Sequence, residues 1–194
     1  AGEITAMLAD ESLGRLTIAD QAITVNSAAT ISVDTANLLE ATTTGVVTAS
    51  IATTEAVSEL NTLTGTNGAY TIVVAAGDAT TTTAAQLNTL NGKTTVAVDL
   101  TNVTALAGSS LSDLETFASA VNANEFSNDS GLTTIAVTDT TIDATTLAST
   151  IDAYDGINGG GTTDMTLASG ATINVDAGEI TAMLADESLG RLTI

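Results

Sequence analysis

Eighteen residues, AGEITAMLADESLGRLTI, open this chain and return unchanged as its last eighteen, so Ala1–Ile18 and Ala177–Ile194 are one string offset by 176 positions. Independent segments do not converge on identity over such a length, and a closed globule has no use for a second copy of its own beginning. The economical expectation is that residues 1–194 are one period of about 176 residues plus an 18-residue overlap, taken from a longer tandem array. Such a chain must bury its apolar side chains in rows that recur along an axis. Its function is then expected to be structural first.

Composition narrows how those rows are filled. Hydrophobic residues make up 44 % of the chain but aromatics only 2 %, namely Tyr70, Tyr154, Phe117 and Phe126. A core built without bulky rings has to come from Val, Ile, Leu and Ala. Proline is absent, as expected where few positions can lose a backbone donor. High net charge with few aromatics is also the signature of disorder, but the mean hydropathy of +0.34 and the many β-branched residues argue for a folded chain.

Three cations, Arg15, Lys93 and Arg191, face 23 acidic residues, for a net charge of −20. Such a polyanion repels nucleic acid and anionic lipid and recruits counter-cations. No apolar run is long enough to cross a bilayer, so neither nucleic acid nor membrane insertion is expected. The sequence contains no Cys and no His. That removes the usual ligands of zinc, haem and iron–sulfur centres, and it removes Ser–His–Asp and Cys–His catalysis. No catalytic residue is assigned.

Within the period a smaller pattern recurs. A run of the form Ile-x-Val is followed by a polar residue, then helix-like spacing, then a small-residue turn, as in ISVDTANLLEA from Ile31, IATTEAVSELNTLTG from Ile51 and INVDAGEITAMLA from Ile173. Alternation in Ile31-Ser32-Val33 puts both aliphatics on one face. Asp34, Asp99 and Asp176 then stand where an N-cap belongs, with Leu38, Val103 and Ile180 opening an apolar stripe that Leu106 and Leu184 continue. Asn67-Gly68, Asn91-Gly92 and Asn158-Gly159 read as turns. The fold expected is mainly β: a right-handed β-helix-like β-solenoid with short helical turns in each coil of a tandem repeat. One stretch, 110–122, breaks the rhythm; Ser112-Asp113-Leu114-Glu115 reads as a capping box opening an inserted helix.

Calcium is the one cofactor the loops suggest, because a hard cation wants carboxylate and amide oxygens on flexible loops. The first candidate set is Asp152, Asp155, Asn158 and Asp164, in a Gly- and Asp-rich stretch whose spacing nevertheless fails to repeat in tandem. Asn124, Glu125, Asn128 and Asp129, in the loop NANEFSNDSG, form the second. A solvated turn whose Asp and Asn bond their own backbone is the favoured reading of both. Threonine runs such as Thr80–Thr83 carry good β-propensity and wander between faces, which argues against a flat ice-binding surface.

The segments TAAQLNTLNGKTTVAVDLTNVTALAG and TTEAVSELNTLTG resemble the Thr/Ala/Asp-rich repeats of giant secreted and surface proteins of cyanobacteria and related Gram-negative bacteria, the type I-secreted, RTX-adhesin-like group. The resemblance spans most of residues 19–176 and rests on Leu-Asn-Thr-Leu followed by Asn-Gly-Lys. It implies export, great length and a place outside the cell or at its surface, and it transfers no catalytic residues. The function expected is an extracellular structural protein forming a filament, sheath or surface layer. Its partners would be copies of itself, end to end, with lateral association through cations. A calcium-dependent adhesin stalk or S-layer component is the first alternative, and a polysaccharide-active β-helix the second.

Overall fold

The computed structural model describes residues 2–26, 28–65, 67–157, 163–176 and 178–193. Seven α-helices lie among them: α1 (Gly2–Ser12), α2 (Val33–Glu40), α3 (Val57–Leu60), α4 (Ala84–Asn91), α5 (Leu111–Asn122), α6 (Ala144–Ile157) and α7 (Ile180–Ser188). Short strands alternate with them: β1 (Ile23–Thr24), β2 (Thr30–Ile31), β3 (Val47–Ile51), β4 (Ala69–Thr71), β5 (Val98–Asp99), β6 (Ala105–Ser109), β7 (Phe126–Ser127), β8 (Thr134–Val137), β9 (Thr141–Asp143), β10 (Asp164–Thr166), β11 (Thr172–Asn174) and β12 (Leu192–Thr193). All the ladders between them are parallel. One sheet joins β1, β2 and β4 to β3, another runs β12-β10-β8-β6, and β11-β9 and β5-β7 are separate pairs.

Helices α2, α4 and α5 are each placed by a stripe of three-residue spacing. Val33, Ala36 and Leu39 are buried in α2, Ala84, Leu87 and Leu90 in α4, and Leu111, Leu114 and Phe117 in α5. That period points one side of a helix at a common core. Between α2 and α5, side chains then tie successive segments together. Asn37 Nδ2 donates to Thr62 O, Asn61 Nδ2 to Gln86 O and Asn88 Nδ2 to Asp113 O, each across 25 residues of chain. The free amides at helix starts are met in the same way. Val57 N donates to Asp78 Oδ2, Ala84 N to Ser109 Oγ and Leu111 N to Asp139 Oδ2, which satisfies donors that have no partner within their own helix.

The mainly β expectation does not hold. The chain is mixed α/β, 39 % helical and 20 % strand, and forms neither the expected right-handed β-solenoid nor a regular tandem-repeat structure. Helices run from 4 to 14 residues and the ladders are split among four sheets. The misreading has a physical source. Threonine has good β-propensity, yet buried Thr43, Thr82 and Thr94 donate their hydroxyls to the backbone carbonyls of Gln21, Asp78 and Tyr70. The Leu-Asn-Thr-Leu segment at 87–90 lies inside the eight-residue helix α4.

The expected caps also move. Ser32, not Asp34, caps α2, its hydroxyl accepting from Thr35 N. The helix therefore starts directly after the strand, and its stripe turns away from Leu38, which is 53 % exposed. Ser110, not Ser112, caps α5, and α5 sits in the row between α4 and α6 instead of interrupting it. Asp99 lies in β5 and accepts from Thr101 N, a local turn bond. Asp176 precedes α7, whose N-cap is Glu179.

Candidate functional site

The repeated string forms a helix in both copies, from Gly2 to Ser12 in one and from Ile180 to Ser188 in the other. Glu3–Ser12 and Glu179–Ser188 are one sequence, and its Ile, Met and Leu at i, i+3 and i+4 fit one face of a helix. Both helices stop at a glycine in the left-handed region, Gly14 at φ 67° and Gly190 at φ 70°, a conformation only glycine adopts without strain. Arg15 N donates to Asp10 O at 2.8 Å and Arg191 N to Asp186 O at 3.0 Å, closing the turn identically. Local structure is thus written in the string itself.

Surroundings are not. The C-terminal copy lies against α6. Met183, Asp186 and Leu192 close a cleft with Leu147, Ala148 and Ile151, and β12 pairs with β10 through Met165 and Leu192. Arg191 is the centre of this seat. Its Nη1 reaches Asp186 Oδ1 at 2.7 Å and its Nη2 reaches Asp152 Oδ1 at 2.8 Å. Its Nε lies 2.5 Å from Asp155 Oδ2 but outside hydrogen-bond geometry, so that contact is one of charge alone. Burial pushes the Asp186 carboxyl above the usual aspartate range; Arg191 opposes the shift, and Asp152 and Asp155 add to it. Thr145 Oγ1 donates to Glu179 Oε1, and this bond holds the Glu179 carboxyl below its ordinary value.

The N-terminal copy is packed on the other flank. Ile4 and Leu8 meet Val25, Ala29, Ile31 and Leu38 in a groove whose lining carries no charge. Ile180 and Leu184 are the same two residues in the C-terminal copy, and there they stand 45 % and 52 % exposed. Conversely, Leu16 is 40 % exposed where its counterpart Leu192 is 2 % exposed. The two faces overlap, since Met7 packs beside Ile23 and Val25 while the equivalent Met183 packs beside Leu147 and Ile151.

The calcium candidates divide accordingly. Asp152 and Asp155 are taken by Arg191, and Asp164 Oδ1 accepts from Thr193 Oγ1 at 3.0 Å. Three members of that set therefore converge on residues 191–193, while Asn158 lies outside the described residues. The second set is not brought together. Glu125 accepts from Asn91 and Asn128 donates to Asp99, while Asn124 and Asn128 adopt left-handed turns and Asp129 opens a short 3-10 turn. Among the described residues no group of three or more His, Cys, Asp or Glu is arranged to hold a metal. Residues that sequence reasoning missed are Met183, Asp186, Arg191 and Leu192 on one flank and Ile180 and Leu184 on the other. The repeated string was their signal.

No family model, no curated protein and no solved structure matches the chain.

Proposed function

We propose that this protein is an architectural component of the cell exterior that joins copies of itself end to end into a filament, sheath or surface layer. One observation supports the reading: a single string occurs twice, and its copies at 2–17 and 178–193 pack against different partners, one beside Val25, Ile31 and Leu38 and the other beside Leu147 and Ile151. The composition supports an architectural role over a catalytic one, since the sequence offers no His and no Cys. The surface location rests on the resemblance of the Leu-Asn-Thr-Leu and Asn-Gly-Lys segments to exported repeats. A net charge of −20 keeps neighbouring filaments apart until cations draw them together.

Sedimentation and light scattering test this between about 1 μM and about 1 mM, where contacts worth roughly 4 to 8 kcal/mol populate assemblies. Mass should climb without a plateau, and electron microscopy should show linear particles. A chain that stays monomeric over the whole range is not a filament unit.

A further inference from the structure

The geometry points to Asn67 as a self-modification site, where the Gly68 amide nitrogen closes on the asparagine side chain and water reopens the ring to leave a new carboxylate. Asn-Gly occurs at 67–68, 91–92 and 158–159, and glycine favours this reaction because it has no side chain to shield the attacking nitrogen. Asn158 lies outside the described residues; the other two asparagines are held in opposite ways. Asn67 is exposed, and among the described residues nothing holds its side-chain amide. Gly68 N donates to none of them either, so the nucleophile has no carbonyl to leave. Asn91 is the last residue of α4, its Nδ2 donates to Glu125 Oε2, and Gly92 continues in helical geometry at φ −70° and ψ −3°. In a helix each Cα–Cβ bond leans toward the N-terminus, which carries the side chain away from the next nitrogen.

At Asn67, Gly68 N forms a bond to Cγ while its proton passes to solvent base, and the Cγ–Nδ2 bond breaks to release ammonia. One water then adds to either carbonyl of the cyclic imide. One opening yields aspartate; the other yields isoaspartate, whose backbone runs through Cβ and Cγ. The surroundings disfavour the longer backbone. Thr64 N donates to Asn37 Oδ1 at 2.9 Å and Thr95 N to Gly68 O at 3.0 Å, so the chain is pinned on both sides of Asn67. A Cβ on Gly68 would strike the Tyr70 ring and come within 2.8 Å of Glu40 Oε1, and one on Gly65 would strike the Glu40 carboxyl. Isoaspartate must therefore lift this segment off the hydrogen bond from Tyr70 Oη to Glu40 Oε1. None of this depends on self-assembly.

The test is to incubate the full chain at neutral and at mildly alkaline pH, native and in denaturant, and follow each asparagine by peptide mass spectrometry. In the native chain Asn67 should convert about tenfold faster than Asn91 or more. Denaturant should bring the two rates together, because both then present an unstructured Asn-Gly pair. Conversion of Asn67 should speed up as pH rises, since the attacking nitrogen must lose its proton. The purified isoaspartate form should melt below the parent, whereas Asn67→Asp, with the same charge on an ordinary backbone, should stay closer to it. Equal native rates at the two asparagines, or an Asn67 that reacts only in denaturant, would overturn the site. An isoaspartate form as stable as N67D would overturn the claim that the longer backbone disturbs Tyr70 and Glu40.

Discussion

Arg15 and Arg191 are the same residue in the same string, five positions after the same aspartate, and they live in different worlds. At the beginning of the chain Arg15 and Asp10 sit 3.4 Å apart with side chains 70 % and 50 % exposed. At its end the equivalent pair closes to 2.7 Å with exposures of 16 % and 11 %, joined by Asp152 and Asp155. Helix, terminating glycine and backbone turn are common to both, so the difference is entirely tertiary. What a neighbour supplies is a low-dielectric seat, and only there does an ion pair gain more than surface screening allows.

The sharpest way to break the comparison is through packing. Leu192→Ala should destabilise the C-terminal seat by about 2 to 4 kcal/mol, as expected for a leucine with almost no solvent contact, whereas Leu16→Ala should cost less than about 0.5 kcal/mol. Hydrogen exchange of the α7 amides reads this directly, since such a seat can open without global unfolding. Equal losses at the two positions would mean that the berths do not differ.

Next in size is the guanidinium. Arg191→Ala leaves three carboxylates facing one another and should cost about 1 to 3 kcal/mol; this is less than a fully buried pair would lose, because Asp152 stays in solvent. Arg15→Ala should stay within about 0.5 kcal/mol. Raising salt should narrow the gap only slightly, because the inner pair is poorly screened.

Smaller effects come from pH, with opposite signs at two carboxyls. The Asp186 value is raised, chiefly by burial, so its stabilising contribution is complete below the ordinary aspartate value of 3.8 and is lost as pH rises through its elevated folded value. The Glu179 value is lowered, chiefly by the Thr145 hydroxyl, so its contribution is present above the ordinary glutamate value of 4.5 and is lost as pH falls through its depressed folded value. Carbon-detected NMR titration of both side chains should show the two midpoints displaced in opposite directions. Thr145→Val should move Glu179 back upward and leave Asp186 where it was.

The repeated string declared itself in sequence, and so did the order of short extended run, polar start and helical stripe. Register inside that order did not. Ser32 and Asp34 are both good N-cap residues two positions apart, and the choice between them decides whether Leu38 or Leu39 faces inward. Propensity cannot settle it; the strand β2, which ends at Ile31 and fixes where the helix begins, can. The balance between sheet and helix was misjudged because threonine's β-propensity is a statement about packing on a pleated surface, while many threonines here serve as side-chain ties. The acidic stretch at Asp152 and Asp155 reads in sequence as a calcium candidate, and in the structure both carboxylates face Arg191. That the guanidinium comes from 39 residues beyond Asp152 is a long-range fact that no local spacing carries.

The asparagine ties between helices bear on how the chain finds its native alignment. A segment slipped by one position would strand the Asn37, Asn61 and Asn88 amides together, each losing a carbonyl it can meet only at a fixed distance along the chain. A fully buried amide left unmet costs about 1 to 3 kcal/mol, and the part-buried Asn61 and Asn88 lose a share of that, the exposed Asn37 least. Aliphatic rows alone would tolerate such a slip, because one Leu or Val replaces another at little loss. These polar ties therefore act as an error check during folding, rejecting near-miss alignments that greasy contacts would accept.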